Sequence, residues 1–188
     1  MGTNDFDAGS DVPRIILAGA GDRGMIYAKQ SLERPRRFRI VGVVEPMEER
    51  RNFAGDLFEI PGEFRFSSAE EAAAVPKFGD AVFNCTMDRL HAATSIPFME
   101  KGYHILLEKP IATNGRDAER ILQCAQQNRR IVMVCHVLRY APFYRTIKEL
   151  VLSGEIGNII DIQMAERVSY FHESVSYVRG KYGDPDIC

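Results

Sequence analysis

The chain has 188 residues, 45% of them apolar and 27% charged, with a formal net charge of -2. Domains typically run to about 100–150 residues, so this length holds one full domain and part of a second, with enough apolar material for a core. The near-neutral balance argues against a general affinity for nucleic acid or anionic membrane, and no apolar run approaches the roughly 20 residues a membrane helix needs. Arg34, Arg36, Arg37 and Arg39 read as the solvated end of a helix. Residues 1–12 are polar and lack the basic and apolar blocks of a signal peptide, so they are expected to form a disordered leader. The four cysteines, at 85, 124, 135 and 188, include no close pair. Neither a metal site nor a disulfide framework is expected, and reduced thiols point to the cytoplasm.

Short apolar runs then alternate with amphipathic ones, the pattern of βαβ units around a parallel sheet. Strands are expected at Arg14–Ala18, Arg39–Val44, Phe64–Phe66, Asp80–Thr86, Tyr103–Leu107 and Ile131–Cys135. Helices are expected from the glycine turn to about Leu32, over Glu48–Leu57, from the Ser67-Ser68 cap to Ala74, over Leu90–Lys101 and over Asn114–Asn128. Gly102 is the expected helix stop. A helix over Pro142–Ser153 follows, with Gly154 and Gly157 as turn residues, and the alternation of Ile160, Ile162 and Met164 predicts a half-exposed strand within Ile159–Val168. From Ser169 onward no periodicity remains. The fold class is therefore α/β, a doubly wound parallel sheet over residues 13–140, with the start of a second, α+β domain over 141–188.

Gly19-Ala-Gly21-Asp22-Arg23-Gly24 follows a strand and opens a helix, the context a dinucleotide fingerprint requires. Gly19 permits the tight turn, Gly21 lets backbone approach a pyrophosphate, and Gly24 lets the helix pack closely on the strand. Phosphate charge is stabilised there by exposed N–H groups and the helix dipole. Glu45, ending the second strand, is placed to accept hydrogen bonds from the adenosine ribose, which favours NAD over NADP. Arg50 and Arg51 keep NADP possible, because a guanidinium can take the extra phosphate. The bland alternative is a glycine turn that binds another nucleotide or nothing, and Rossmann folds that bind S-adenosylmethionine are the nearest competitor.

Glu108-Lys109-Pro110 lies at the carboxyl end of an apolar strand, the edge where open α/β sheets bind ligands. Lys109 there can hydrogen-bond a substrate hydroxyl, or serve acid–base work if its pKa is lowered. A lone lysine in such a place is ordinarily just solvated. His136 has an equally plain reading, capping or filling space at a strand end.

Taken together, the glycine turn, Glu108-Lys109-Pro110 and His136-Val-Leu-Arg139-Tyr140 resemble the Gfo/Idh/MocA oxidoreductases, over residues 13 to about 180. The resemblance implies an NAD(P)-dependent dehydrogenase that passes hydride between the nicotinamide and a sugar, polyol or related hydroxyl compound, with a Rossmann domain followed by a second domain on a large, mostly antiparallel sheet that often forms the oligomer interface. It implies that Lys109 is catalytic, that Glu108 and Pro110 shape its turn beside the nicotinamide, and that Thr86 and His91 lie along the cofactor. Arg139 and Tyr140 match a segment facing the substrate. Tyr170-Phe-His172 and Ser176-Tyr-Val-Arg-Gly180 resemble a segment of one branch, in which His172 contacts substrate and joins the catalytic group; a surface loop histidine is the plain alternative.

Members of the family normally continue further and carry an Asp-x-x-x-His-like element, which does not occur here after His172. A truncated chain, a sheet completed by a second copy, and a cofactor-binding protein without turnover are the three expectations this raises. Truncation is favoured, with weak or no activity for this chain alone. Two functional alternatives remain: a relative that keeps NAD bound and cleaves glycosidic bonds, and a non-catalytic dinucleotide-binding oligomeric module.

Overall fold

In the computed structural model, residues 12–178 are described. The expected leader thus lies almost wholly outside the described residues, as do Arg179 and Cys188. The chain divides into two compact units, one ending at Val134 and the other beginning at Cys135.

The first unit holds six parallel strands: β1 (Arg14–Ala18), β2 (Arg39–Val44), β3 (Arg65–Phe66), β4 (Ala81–Asn84), β5 (His104–Leu107) and β6 (Val132–Val134). Their order is β3-β2-β1-β4-β5-β6, so the chain reverses its direction of travel between β1 and β4. The helices are α1 (Asp22–Glu33), α2 (Glu48–Leu57), α3 (Ala69–Ala74), α4 (His91–Glu100) and α5 (Gly115–Gln127).

Alternation along β1 divides the core between two faces. Ile15 and Leu17 pack with Met25 and Ala28 of α1 and Ala54 of α2. Ile16 and Ala18 belong to the opposite layer, with Ala69 and Ala72 of α3, Phe98 and Met99 of α4, and Ile121, Cys124 and Ala125 of α5. With a helical layer on each side, β1 has almost no polar residue to spare. Caps set two helix starts: the Ser68 hydroxyl accepts the Glu71 N–H, while the Glu71 carboxylate accepts the Ser67 N–H in return. Asn114 accepts the Asp117 N–H in the same way at α5.

The second unit is different. Helix α6 spans Pro142–Ser153 as expected, stopped by Gly154 at φ +78°. The strand expected within 159–168 is not formed; that segment has no regular structure, and Ile160, Ile162 and Met164 are 97%, 67% and 85% exposed. A strand needs a neighbouring edge to receive its N–H and C=O groups, and the described residues pair none with it. Beyond it, helical turns run over Tyr170–His172 and Glu173–Val178. His136 is exposed and its side chain caps nothing, so the filling role read from the sequence does not hold. No helix among the described residues is long and apolar enough to cross a membrane.

Candidate functional site

The carboxyl ends of four neighbouring strands run on into one row of loops. Each loop begins with one more ladder bond to its neighbour: Glu45 N–H to Phe66 O, Gly19 N–H to Val44 O, Cys85 N–H to Ala18 O and Glu108 N–H to Asn84 O, all 2.8–3.0 Å. From β2 through β1 and β4 to β5 the row covers three strand spacings of about 4.8 Å, about 14 Å in all. It straddles the β1/β4 reversal, where two adjacent strands send their following helices to opposite faces and leave a crevice.

The three glycines of the β1 turn are required for different reasons. Gly19 has φ +87°, and a Cβ on it would lie 2.5 Å from the Cys85 carbonyl oxygen. At Gly24 a Cβ would come within 2.0 Å of the Gly19 oxygen, so α1 rests directly on the turn. The Cβ position of Gly21 is open, with Arg50 Nη1 at 3.9 Å its nearest neighbour. Gly21 is also the N-cap of α1 and provides no side-chain cap, which leaves the first-turn N–H groups for an outside acceptor. Both features fit a pyrophosphate. Asp22 and Arg23 are exposed on that first turn.

Glu45 is only 5% exposed. Its Oε2 accepts the Ala20 N–H at 2.9 Å and its Oε1 accepts the Met47 N–H at 3.1 Å, so the carboxylate braces the glycine turn from β2. Each oxygen keeps a further lone pair for a ribose hydroxyl. Arg51 is committed elsewhere, donating to the Glu45 and Pro46 carbonyls.

At the end of β5, the Glu108 carboxylate is buried. It accepts the Tyr27 hydroxyl and the Lys109 N–H, and Arg23 Nε stands 3.9 Å away. Lys109 itself is exposed, and its ammonium makes no hydrogen bond or ion pair among the described residues. The Lys109–Pro110 bond is cis. His91 is completely buried, with Nδ1 2.7 Å from the Pro110 oxygen and Nε2 3.2 Å from the Thr86 oxygen. It reaches the row through the backbone it holds and has no surface for a ligand to touch. Thr86, half-buried, donates its hydroxyl to Asn84 Oδ1 at 2.7 Å; Asn84 in turn donates to His91 O and Ser95 Oγ.

The structure thus brings together Gly19, Gly21, Asp22, Arg23, Gly24, Glu45, Thr86, His91, Glu108, Lys109 and Pro110. Arg139 and Tyr140 lie in a short turn of the second unit, both exposed, and His172 ends a helical turn there. Tyr27 and Asn84 escape a reading of the sequence. Tyr27 falls four residues after Arg23, one helical turn along the same face, which is the one signal that marks it. A separate groove of about 440 Å³, lined by residues including Leu32, Arg39, Ile40 and Phe58, lies at the opposite, amino end of β2, away from this chemistry. No cluster of His, Cys, Asp or Glu among the described residues is arranged to hold a metal.

The profile described as "Oxidoreductase family, NAD-binding Rossmann fold" (GFO_IDH_MocA) matches residues 13–136. Inositol 2-dehydrogenase of Corynebacterium glutamicum is 28% identical over 155 residues, covering 82% of this chain and 45% of that protein. The 4-carboxy-2-hydroxymuconate-6-semialdehyde dehydrogenase of Sphingobium sp. is 27% identical over 158 residues, covering 84% and 48%. Among solved structures, myo-inositol 2-dehydrogenase from Lactobacillus plantarum superposes with a TM-score of 0.72 at 20% identity, covering 79% of this chain and 43% of that one. The WlbA dehydrogenase from Bordetella pertussis, in complex with NADH and UDP-GlcNAcA, gives 0.73 at 22% identity, covering 79% and 45%. The chain spans less than half the length of these relatives.

Proposed function

Since the chain belongs to the Gfo/Idh/MocA oxidoreductase family and carries its NAD-binding Rossmann fold, we propose that it serves the oxidation or reduction of a sugar, polyol or related hydroxyl compound, with Lys109 as the proton-handling group. One observation carries this reading. An uncapped glycine turn suited to a pyrophosphate and an unengaged lysine stand on the same sheet edge, about two strand spacings apart.

In this proposal the dinucleotide crosses the strand ends, with its pyrophosphate on Gly19–Gly24 and its adenosine ribose at Glu45. The Glu45 carboxylate repels a 2'-phosphate, which favours NAD; Arg50, near Gly21, is the residue that leaves NADP accessible. Thr86, Glu108 and Pro110 border the nicotinamide half. When bound, the nicotinamide supplies the hydride acceptor or donor. The Lys109 Nζ hydrogen-bonds the substrate oxygen and assists the proton leaving it. Arg139, Tyr140 and His172 are proposed as substrate-contacting residues of the second unit. The same reading includes a cytoplasmic location, in keeping with the reduced thiol of Cys124, and a homo-oligomer, in keeping with the apolar residues exposed on α6.

Calorimetric titration of the chain with NAD and NADP tests the proposal. Micromolar NAD binding with weaker NADP binding is expected, and Glu45→Ala should erase the difference. Lys109→Ala should leave cofactor affinity within about twofold while removing any turnover of an inositol or sugar, since the lysine adds little to cofactor binding in this reading. Binding of neither cofactor overturns it. NAD binding without polyol turnover is what the non-catalytic module also gives, so turnover by the unaltered chain is the outcome that separates the two.

A further inference from the structure

The Lys109 side chain stands in solvent, so its aim depends on the backbone to either side. Before it, the Glu108 carboxylate is held by the Tyr27 hydroxyl from α1, by Arg23 Nε at 3.9 Å and by the Lys109 N–H at 3.0 Å. After it, the Pro110 carbonyl meets Nδ1 of His91 at 2.7 Å. The His91 ring is lodged between two carbonyl oxygens, with Thr86 O at 3.2 Å from Nε2. A ring nitrogen satisfies a carbonyl only by donating a proton, and Nδ1 makes the shorter of the two contacts. His91 is itself secured: its own carbonyl accepts from Asn84 Nδ2 at 3.1 Å, and that amide also donates to Ser95 Oγ at 2.9 Å.

We infer that Tyr27 and His91 are the positioning residues for the Glu108-Lys109-Pro110 turn, whose Glu108 and Pro110 border the nicotinamide and whose Lys109 faces the substrate. Tyr27 holds the incoming flank of the turn and His91 the outgoing flank, and His91 joins that flank to the Thr86 loop at the end of β4. Neither residue needs to touch substrate. The inference rests on the dinucleotide reading above and adds to it a division of labour: the turn at β1 with Glu45 holds the adenylate half, while the Tyr27–Glu108 and His91–Pro110 contacts arrange only the nicotinamide end at β4 and β5.

That division is tested with the full chain and two ligands, NADH and ADP-ribose, the second lacking the nicotinamide. Tyr27→Phe and His91→Leu are each expected to weaken NADH binding about tenfold, the size of one charge-assisted or buried hydrogen bond, and to leave ADP-ribose within about twofold. His91→Asn keeps a donor near the place of Nδ1 and is expected to recover most of the NADH affinity. Equal losses for both ligands mean a merely structural role and overturn the inference, as does unchanged NADH binding in both variants. Should His91→Leu fail to fold, nitrogen-15 NMR of the unaltered chain decides: a protonated Nδ1 on His91 supports the clamp, and an unprotonated Nδ1 overturns it. Failure of the unaltered chain to bind either ligand overturns the dinucleotide reading itself, and the inference with it.

Discussion

Residues 12–134 and 135–178 are built from similar apolar side chains put to opposite use. In the first region Ile16, Leu17, Val43, Phe98 and Leu107 are fully buried, because each strand and helix has a layer waiting on its apolar side. In the second, Phe143, Leu152, Ile160 and Met164 are 69–97% exposed in segments whose sequence is patterned just as regularly. The difference shows what periodicity specifies. It states which side of an element is to be covered, and it is silent on whether the cover is there.

The sharpest way to break the comparison is at the turn where backbone meets backbone. Gly24→Ala puts a methyl 2.0 Å from the Gly19 oxygen and 3.1 Å from Leu17 Cδ1. Urea unfolding should show a loss of about 3 kcal/mol, the upper range for overpacking, since the nearer neighbour is backbone and Leu17 is fully buried. A loss below about 1 kcal/mol would mean α1 can lift off the strand.

A step down is Tyr103→Phe. The Tyr103 hydroxyl accepts the buried Phe78 N–H at 3.0 Å, and burial pushes its pKa above the ordinary 10.0. Removing the oxygen strands a donor, at a cost of about 1–3 kcal/mol by the same measurement. Full stability in this variant would show that water reaches Phe78.

A smaller effect reads out at the edge of the sheet. The unprotonated Nδ1 of His104 accepts the Ile131 N–H at 3.0 Å. Burial, then the charges of Arg130 and Lys77, lower its pKa from the ordinary 6.5 against the opposing pull of Asp80. The unfolded chain therefore takes up this proton first as pH falls. His104 contributes stability that is present above about pH 6.5 and is lost as pH falls through its lower folded value. His104→Asn, which keeps an acceptor but does not titrate, should flatten that part of the stability profile; an unchanged slope would place the titration elsewhere. Smallest of all, Leu152→Ser on α6, at a residue 75% exposed, should alter stability by no more than about 0.5 kcal/mol. A loss of 2 kcal/mol or more, the range of large-to-small changes in a core, would show that α6 is covered in solution and would erase the contrast between the two regions.

Much of the fold was legible beforehand because its signals are local. The starts of α3 and α5 follow from Ser68 and Asn114, the end of α6 from Gly154, and the bounds of α2 and β2 from periodicity alone. The exception, the strand expected within 159–168, failed on a non-local requirement. Alternation is a property of the segment, whereas a strand is a property of a pair.

The candidate site divides along the same line. The glycine turn, Glu45 at a strand end and Lys109 before a proline were readable, since each is a residue type at a place in a local pattern. Their partners were not. Glu45 meets Ala20 across 25 residues, His91 meets Pro110 across 19, and Tyr27 meets Glu108 across 81. Those meetings exist because β1 lies between β2 and β4, and β5 beside β4, an order set by how the helices cover both faces and not by any window of sequence. The sequence by itself determined the elements, the turn and the chemical types at the strand ends. Only the tertiary structure decided that the Glu45 carboxylate braces a backbone N–H, that His91 is buried between two carbonyls, and that Lys109 alone of its turn keeps a free charged group in solvent. Hydrogen-bond geometry is settled over a few ångströms, and the strand order selects which distant residues come within that reach.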